Sequence, residues 1–262
     1  MPRFSDRPVW ILLVPALVLA VLVAVQAGLP ATARPFPRFG AGCARSDFRS
    51  GDSNVRAELC SPSGAGPSPA VVVLHGCGGF STFDHRLVAE LPRFGIATLD
   101  VDFFGPTPPP GSRGFCGEPQ ALEAAFPAWQ REVLDAAAHL ARLPGVDQRR
   151  VGVVGWSLGA ALALAAAETQ PALRPLRALA LFSTGAFGFD NRLSSLPPTL
   201  LLSGGVHDAI PVADTRLLYQ ELKSAGVAAQ LYVYPNGTHQ WAGPQGTAGI
   251  VHAAVFLKQY LG

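Results

Sequence analysis

Residues 150–168 read RVGVVGWSLGAALALAAAE. The run before Gly155 is short and β-branched, the form of a strand covered on both faces. The run from Leu158 onward is an Ala/Leu stretch of high helix propensity. Between them, Gly155-Trp156-Ser157-Leu158-Gly159 fits G-x-S-x-G, with a strand before it and a helix after it. A turn that takes the chain straight from strand into helix is tight. Side chains at its two flanking positions would meet neighbouring backbone, and glycine removes them. Ser157 then projects above the sheet edge at a helix N-terminus, where free N–H groups and the helix dipole stabilise developing negative charge. A glycine-rich packing turn could show the same spacing, but the strand and helix on either side select the nucleophile.

Working outward, strand-like runs recur at residues 69–74, 96–101, 177–183, 199–203 and 229–234. Helical patterns fall at 87–94, 129–142, 212–225 and 250–261, and residues 103–126, rich in Gly and Pro, read as a long loop. This alternation predicts an α/β fold: a mostly parallel central sheet with helices on both faces. A short β-hairpin precedes it, turning at the Arg49-Ser50-Gly51-Asp52-Ser53-Asn54 stretch.

The chain has 262 residues, 49% of them hydrophobic and 15% charged, with a formal net charge of +2. That apolar content excludes intrinsic disorder. The 28 Gly and 24 Pro exclude long heptad runs, and the small net charge argues against a dedicated nucleic-acid binder. Residues 9–25 read VWILLVPALVLAVLVAV without a charge, and the run continues weakly to residue 29. Arg3 and Arg7 precede it, and Ala31-Thr32-Ala33 forms an A-x-A site. Two readings stay open: a cleaved secretory signal over residues 1–33, or a retained membrane anchor through residues 9–29. Either exports residues 34–262 as a single domain, periplasmic, secreted or held at the membrane.

The even cysteine count in an exported chain favours disulfides over free thiols. Cys43 and Cys60 lie symmetrically about the hairpin turn and would face each other across two strands. Cys77 and Cys116 then pair by elimination. No spacing of Cys or His suggests a metal site.

A serine nucleophile needs a base, and the base needs an acid to orient it; on this architecture they follow in the order Ser, acid, His. After Ser157 come His207, His239 and His252. His252 lies within the last helical pattern and His207 abuts Asp208. His239 follows the last strand in a turn, the place of the base. Asp208 follows the strand 199–203 through Gly204-Gly205 and is the candidate acid. Asp190 and Asp214 are the alternatives, and Asp102, which precedes Ser157, reads as structural. The oxyanion needs two backbone donors: the N–H of Leu158, and the N–H of Cys77 in the loop His75-Gly76-Cys77-Gly78-Gly79. Trp156 and Trp241, beside two members of this set, are candidate substrate-binding residues.

The set HGCGG, LDVDFFGP, GWSLGA, GGVHDAIPV and YPNGTHQW resembles the dienelactone hydrolase family of α/β-hydrolases over roughly residues 40–262. The resemblance implies an α/β-hydrolase sheet and a triad at Ser157, Asp208 and His239. Founding members of that family use a cysteine nucleophile and lack an export segment, whereas this chain has Ser157. The expectation is therefore a general serine hydrolase of small-molecule carboxylic esters or lactones, needing no metal or organic cofactor. Peptidase or acyltransferase activity on the same fold, and a non-catalytic exported binding protein, remain the rival expectations.

Overall fold

The computed structural model describes residues 42–262 apart from residues 65, 108–109, 111–113, 170–175, 187–192 and 206. The expected export segment, residues 1–33, lies outside the described residues. Among the described residues, no helix is long and apolar enough to cross a membrane.

The chain enters through the expected hairpin. Strands β1 (Cys43–Arg45) and β2 (Phe48–Ser50) both pair antiparallel with β3 (Ser53–Cys60). The turn falls at Gly51-Asp52, where Gly51 takes a left-handed φ of 54°, and Ser50 faces Ser53. The same register places Cys43 opposite Cys60, and the two are bonded. Next come β4 (Ser68–Leu74), α1 (Thr82–Glu90), β5 (Ala97–Asp102), α2 (Pro119–Leu140), β6 (Val146–Trp156) and α3 (Leu158–Thr169). The chain closes with β7 (Leu179–Phe182), β8 (Thr199–Ser203), α4 (Val212–Ser224), β9 (Ala229–Val233) and α5 (Gly243–Leu261).

The sheet runs β1-β3-β5-β4-β6-β7-β8-β9. From β5 onward all pairs are parallel; only the hairpin and its junction with β5 are antiparallel. Alternation along the strands divides the core. Val72, Leu74, Val153, Leu181 and Leu201 face α2, α3 and α4, while Val71, Val73, Val154, Phe182 and Leu202 face α1 and α5. Strand order reverses at β4, which has β5 on one side and β6 on the other. Such a switch point opens a crevice at the carboxyl ends of the strands. Here it sets the loop after β4 beside the loop after β6.

Several elements are longer or start earlier than the sequence pattern indicates: β6 runs over 11 residues, α1 opens at Thr82 behind the Ser81 cap, and α2 and α5 are extended most. The stretch read as a loop to residue 126 ends at Glu118, and α2 begins at Pro119. Proline is favoured in a first helical turn because no N–H is needed there. Pro127 sits inside the same helix on its part-exposed side. Helix α5 starts at Gly243, two turns before the expected residue 250. Gly246 and Gly249, in the added turns, make room for a neighbour: a Cβ on Gly249 would lie 2.8 Å from the Trp241 ring.

Candidate active site

Ser157 occupies the turn between β6 and α3 with φ 55°. Left-handed backbone costs a non-glycine residue on the order of 1–3 kcal/mol and persists where the surroundings impose it. Here the imposing groups are visible. A Cβ on Gly155 would overlap the backbone of Gly159 and Ala160, and one on Gly159 would overlap the carbonyls of Leu74 and His75. The Ser157 N–H donates to the Phe182 carbonyl of the adjacent strand at 2.9 Å.

Three of the sequence-predicted residues meet. Ser157 Oγ lies 3.1 Å from His239 Nε2, and His239 Nδ1 lies 2.7 Å from Asp208 Oδ1. A carboxylate only accepts, so Nδ1 carries the proton and Nε2 presents its lone pair to the hydroxyl. Ser157 and His239 are 2% and 4% exposed, and the Asp208 side chain is fully buried. Burial works to raise the Asp208 carboxyl. The His239 hydrogen bond and charge, with donors from Ser183 and Gly204, outweigh it and hold the group below the ordinary aspartate value. Asp208 stands on the loop after β8 and His239 on the loop after β9; a parallel bridge between His207 and Thr238 joins the two loops.

The alternatives lie elsewhere. The His207 side chain is exposed. His252 Nδ1 is 2.8 Å from the Tyr234 hydroxyl, and its ring stacks on Tyr232. Asp214 sits in the first turn of α4, and Asp102 pairs with Arg56. Asp190 lies outside the described residues.

The loop after β4 sits at the switch point. His75 is fully buried, stacked on Phe103 at 4.0 Å, and its Nδ1 is 2.9 Å from the Gly76 carbonyl. A carbonyl accepts, so Nδ1 donates. Burial pushes the imidazole down to about 4, leaving it neutral at ordinary pH. The Gly79 N–H also donates to the Gly76 carbonyl, at 3.1 Å. The Cys77 carbonyl accepts from the Phe115 N–H at 2.8 Å, and Cys77 is disulfide-bonded to Cys116. Among the described residues, the Cys77 N–H donates to no backbone carbonyl outside regular structure. Leu158 is the first residue of α3, so its N–H has no acceptor within the helix. Both disulfide pairings expected from the sequence are therefore formed.

Trp156 and Trp241, the expected substrate-binding residues, are buried beside the Ser157, His239 and Asp208 set. They are 3% and 0% exposed. Trp156 Nε1 donates to the His239 carbonyl at 2.9 Å, and Trp241 Nε1 donates to Ser183 Oγ at 2.8 Å. Ser183, which sequence reasoning missed, directly follows β7 and reaches Asp208 Oδ2 at 2.6 Å. Its one signal in the sequence is position: it follows a strand whose neighbours in the sheet lead to Ser157 and Asp208. Among the described residues, no group of three or more His, Cys, Asp or Glu side chains is placed to hold a metal ion.

Comparison with known proteins gives consistent results. Residues 55–258 match the model of the dienelactone hydrolase family. A carboxymethylenebutenolidase from Pseudomonas putida is 26% identical over 227 residues, covering 81% of this chain and 91% of that protein. A dienelactone hydrolase-like promiscuous phosphotriesterase from metagenomic libraries superposes with a TM-score of 0.71 at 19% identity, over 84% of this chain and 98% of that one. A dienelactone hydrolase from Anabaena variabilis gives a TM-score of 0.65 at 22% identity, with coverage of 84% and 98%. At these identities the two structures show a shared fold.

Proposed function

The chain belongs to the dienelactone hydrolase family and is a carboxylic-ester hydrolase, and on that premise we propose that it cleaves small-molecule esters or lactones through an acyl-enzyme on Ser157. A serine hydroxyl is barely ionised at neutral pH and needs a base in contact with it. Ser157 Oγ attacks the acyl carbon while His239 Nε2 takes its proton. The C–O bond to the leaving group then breaks, and His239 returns the proton to the departing alkoxide. Water, deprotonated by the same Nε2, attacks the acyl carbon; the C–O bond to Ser157 Oγ breaks, His239 returns the proton to that oxygen, and the acid is freed. Asp208 holds the imidazole tautomer and stabilises the imidazolium. The Cys77 and Leu158 N–H groups receive the oxyanion in both steps.

The observation that carries this reading is the unbroken hydrogen-bonded line from Ser157 through His239 to Asp208, on three loops at one edge of the sheet. Nothing in folding requires those three residues together. The test is a panel of p-nitrophenyl esters, γ- and δ-lactones and peptide amides, run on the native chain and on Ser157→Ala. Hydrolysis of esters or lactones that falls on the order of 10³-fold or more in the variant supports the reading. Near-normal activity in Ser157→Ala, or a preference for amides, overturns it.

The same reading places the domain outside the cytoplasm, with residues 1–33 as an export segment. Two disulfides support this, because such bonds persist in oxidising compartments. The mass of the mature protein recovered from cells tests whether residues 1–33 are removed.

A further inference from the structure

We propose that Trp241 and Ser183 form a hydrogen-bond relay that holds Asp208 in register with the base, so that both are positioning residues for the reaction. This rests on the triad reading above.

The Asp208 carboxylate receives four donors. Oδ1 accepts from His239 Nδ1 at 2.7 Å and from the Ile210 N–H at 3.1 Å. Oδ2 accepts from the Gly204 N–H and from the Ser183 hydroxyl, both at 2.6 Å. A carboxylate offers about four lone-pair sites, so the group is saturated and its rotation is pinned. Two of the donors are backbone and one is the base itself. Ser183 is the remaining side chain.

The direction of the relay is set by chemistry. An indole N–H can only donate, and an ionised carboxylate can only accept. Trp241 Nε1 therefore donates to Ser183 Oγ, which directs the Ser183 proton to Asp208. Trp241 lies two residues beyond His239 on the same turn. The chain of contacts closes on itself: His239 to Asp208, Asp208 to Ser183, Ser183 to Trp241, and back along the backbone to His239. Acid and base cannot drift apart without breaking it.

Two further observations converge on the same residues. Among the described residues, the non-glycine positions with left-handed φ are Ser157 at 55°, Ser183 at 51° and Trp241 at 50°. Strain is thus confined to the nucleophile and the two relay members, and for a bulky residue such as tryptophan this backbone is rare. Helix α5 is also shaped around the indole. A Cβ on Gly246 would overlap the Trp241 carbonyl, and one on Gly249 would press on both the Trp241 and Phe182 rings.

The experiment measures the pre-steady-state acylation rate with p-nitrophenyl acetate in Ser183→Ala, Ser183→Gly, Trp241→Phe and the Ser183→Ala/Trp241→Phe double variant. Melting temperatures are recorded alongside. The relay requires at least a tenfold loss of acylation rate in both Ser183 variants, with KM within twofold of native. Glycine accepts the left-handed backbone at position 183 and alanine does not. Ser183→Gly should therefore melt above Ser183→Ala while losing as much activity, so that rate follows the hydroxyl and not stability. Trp241→Phe keeps a ring and loses the N–H; alone it slows acylation several-fold, and in the Ser183→Ala background it adds nothing, because it acts only through Ser183. Native-like acylation in Ser183→Gly, or losses that multiply in the double variant, overturns the relay. If Ser157→Ala is inactive while Ser183→Gly runs at full rate, only the relay falls. If Ser157→Ala hydrolyses esters, the triad reading falls with it.

Discussion

Removing the Cys77–Cys116 disulfide separates a stability effect from a catalytic one, because the protein carries its own control. The two bonds join residues 39 and 17 positions apart. The chain-entropy relation gives about 4 kcal/mol for the longer loop and about 3 kcal/mol for the shorter. Replacing either pair by serine should thus lower stability by similar amounts. At roughly 2–4 °C per kcal/mol for a domain of this size, both variants should melt about 6–16 °C below native. Their activities should differ. Cys43–Cys60 ties the hairpin, whereas Cys77 belongs to the proposed oxyanion loop. The Cys77 peptide is held by the Cys116 bond, by the Phe115 N–H on its carbonyl, and by close packing of Gly114 against that carbonyl. Deleting an oxyanion donor outright costs roughly 10²–10³ in kcat. A donor that is loosened but present should cost roughly tenfold, about 1.4 kcal/mol. The assay is kcat toward p-nitrophenyl butyrate well below both melting points, with competent sites counted by fluorophosphonate titration. A tenfold fall in Cys77→Ser/Cys116→Ser against native kcat in Cys43→Ser/Cys60→Ser is the expected pattern. Equal kcat in the two variants would refute the positioning argument even if both melt lower.

Two other perturbations follow from buried groups. His75→Phe keeps an aromatic ring against Phe103 but loses the donor to the Gly76 carbonyl; His75→Asn keeps a donor and loses the ring. Phe should hold the melting temperature and lower kcat several-fold, Asn the reverse, and the idea fails if kcat and Tm rank the variants alike. Glu132, buried on α2 with an unpartnered Oε2, is pushed up to about 8, first by burial and then by Asp102 and Asp135. The unfolded chain releases this proton near the ordinary glutamate value of about 4.3, so the folded state holds more protons between there and pH 8. Stability should fall as pH rises across that window and level off above it. Asp84 and Asp100, also raised by burial, add to the same decline, so Glu132→Gln should reduce the fall of Tm between pH 5 and 9 without abolishing it; an unchanged slope would show that Glu132 contributes nothing to it.

The parts of this protein written in local chemistry are legible in the sequence. The strand, turn and helix around Ser157 need only the β-branched run, the two glycines and the Ala/Leu stretch. The Cys43–Cys60 register follows from symmetry about Gly51-Asp52. Chain order, with loops after successive strands, leads to Asp208 and His239. What was hidden depends on tertiary contact. The first two turns of α5 were not legible because the reason for Gly246 and Gly249, the Trp241 carbonyl and indole, lies outside the helix. Pro119 lies in the stretch read as a loop, although proline suits a helix start. Trp156 and Trp241 stand next to Ser157 and near His239 in the sequence, but only the fold shows their N–H groups bonded to the His239 carbonyl and to Ser183. Ser183 carries no motif, and only the folded sheet brings its hydroxyl to Asp208.

On the proposed mechanism, Ser157 is the acylated nucleophile. Reaction of the native chain with a fluorophosphonate, followed by intact-mass measurement and peptide mapping, addresses it directly. The expected result is one adduct per chain, on Ser157 within Gly155-Trp156-Ser157-Leu158-Gly159, with ester hydrolysis lost in proportion to labelling. Complete labelling at another residue, or full ester hydrolysis by chains modified at Ser157, would contradict it.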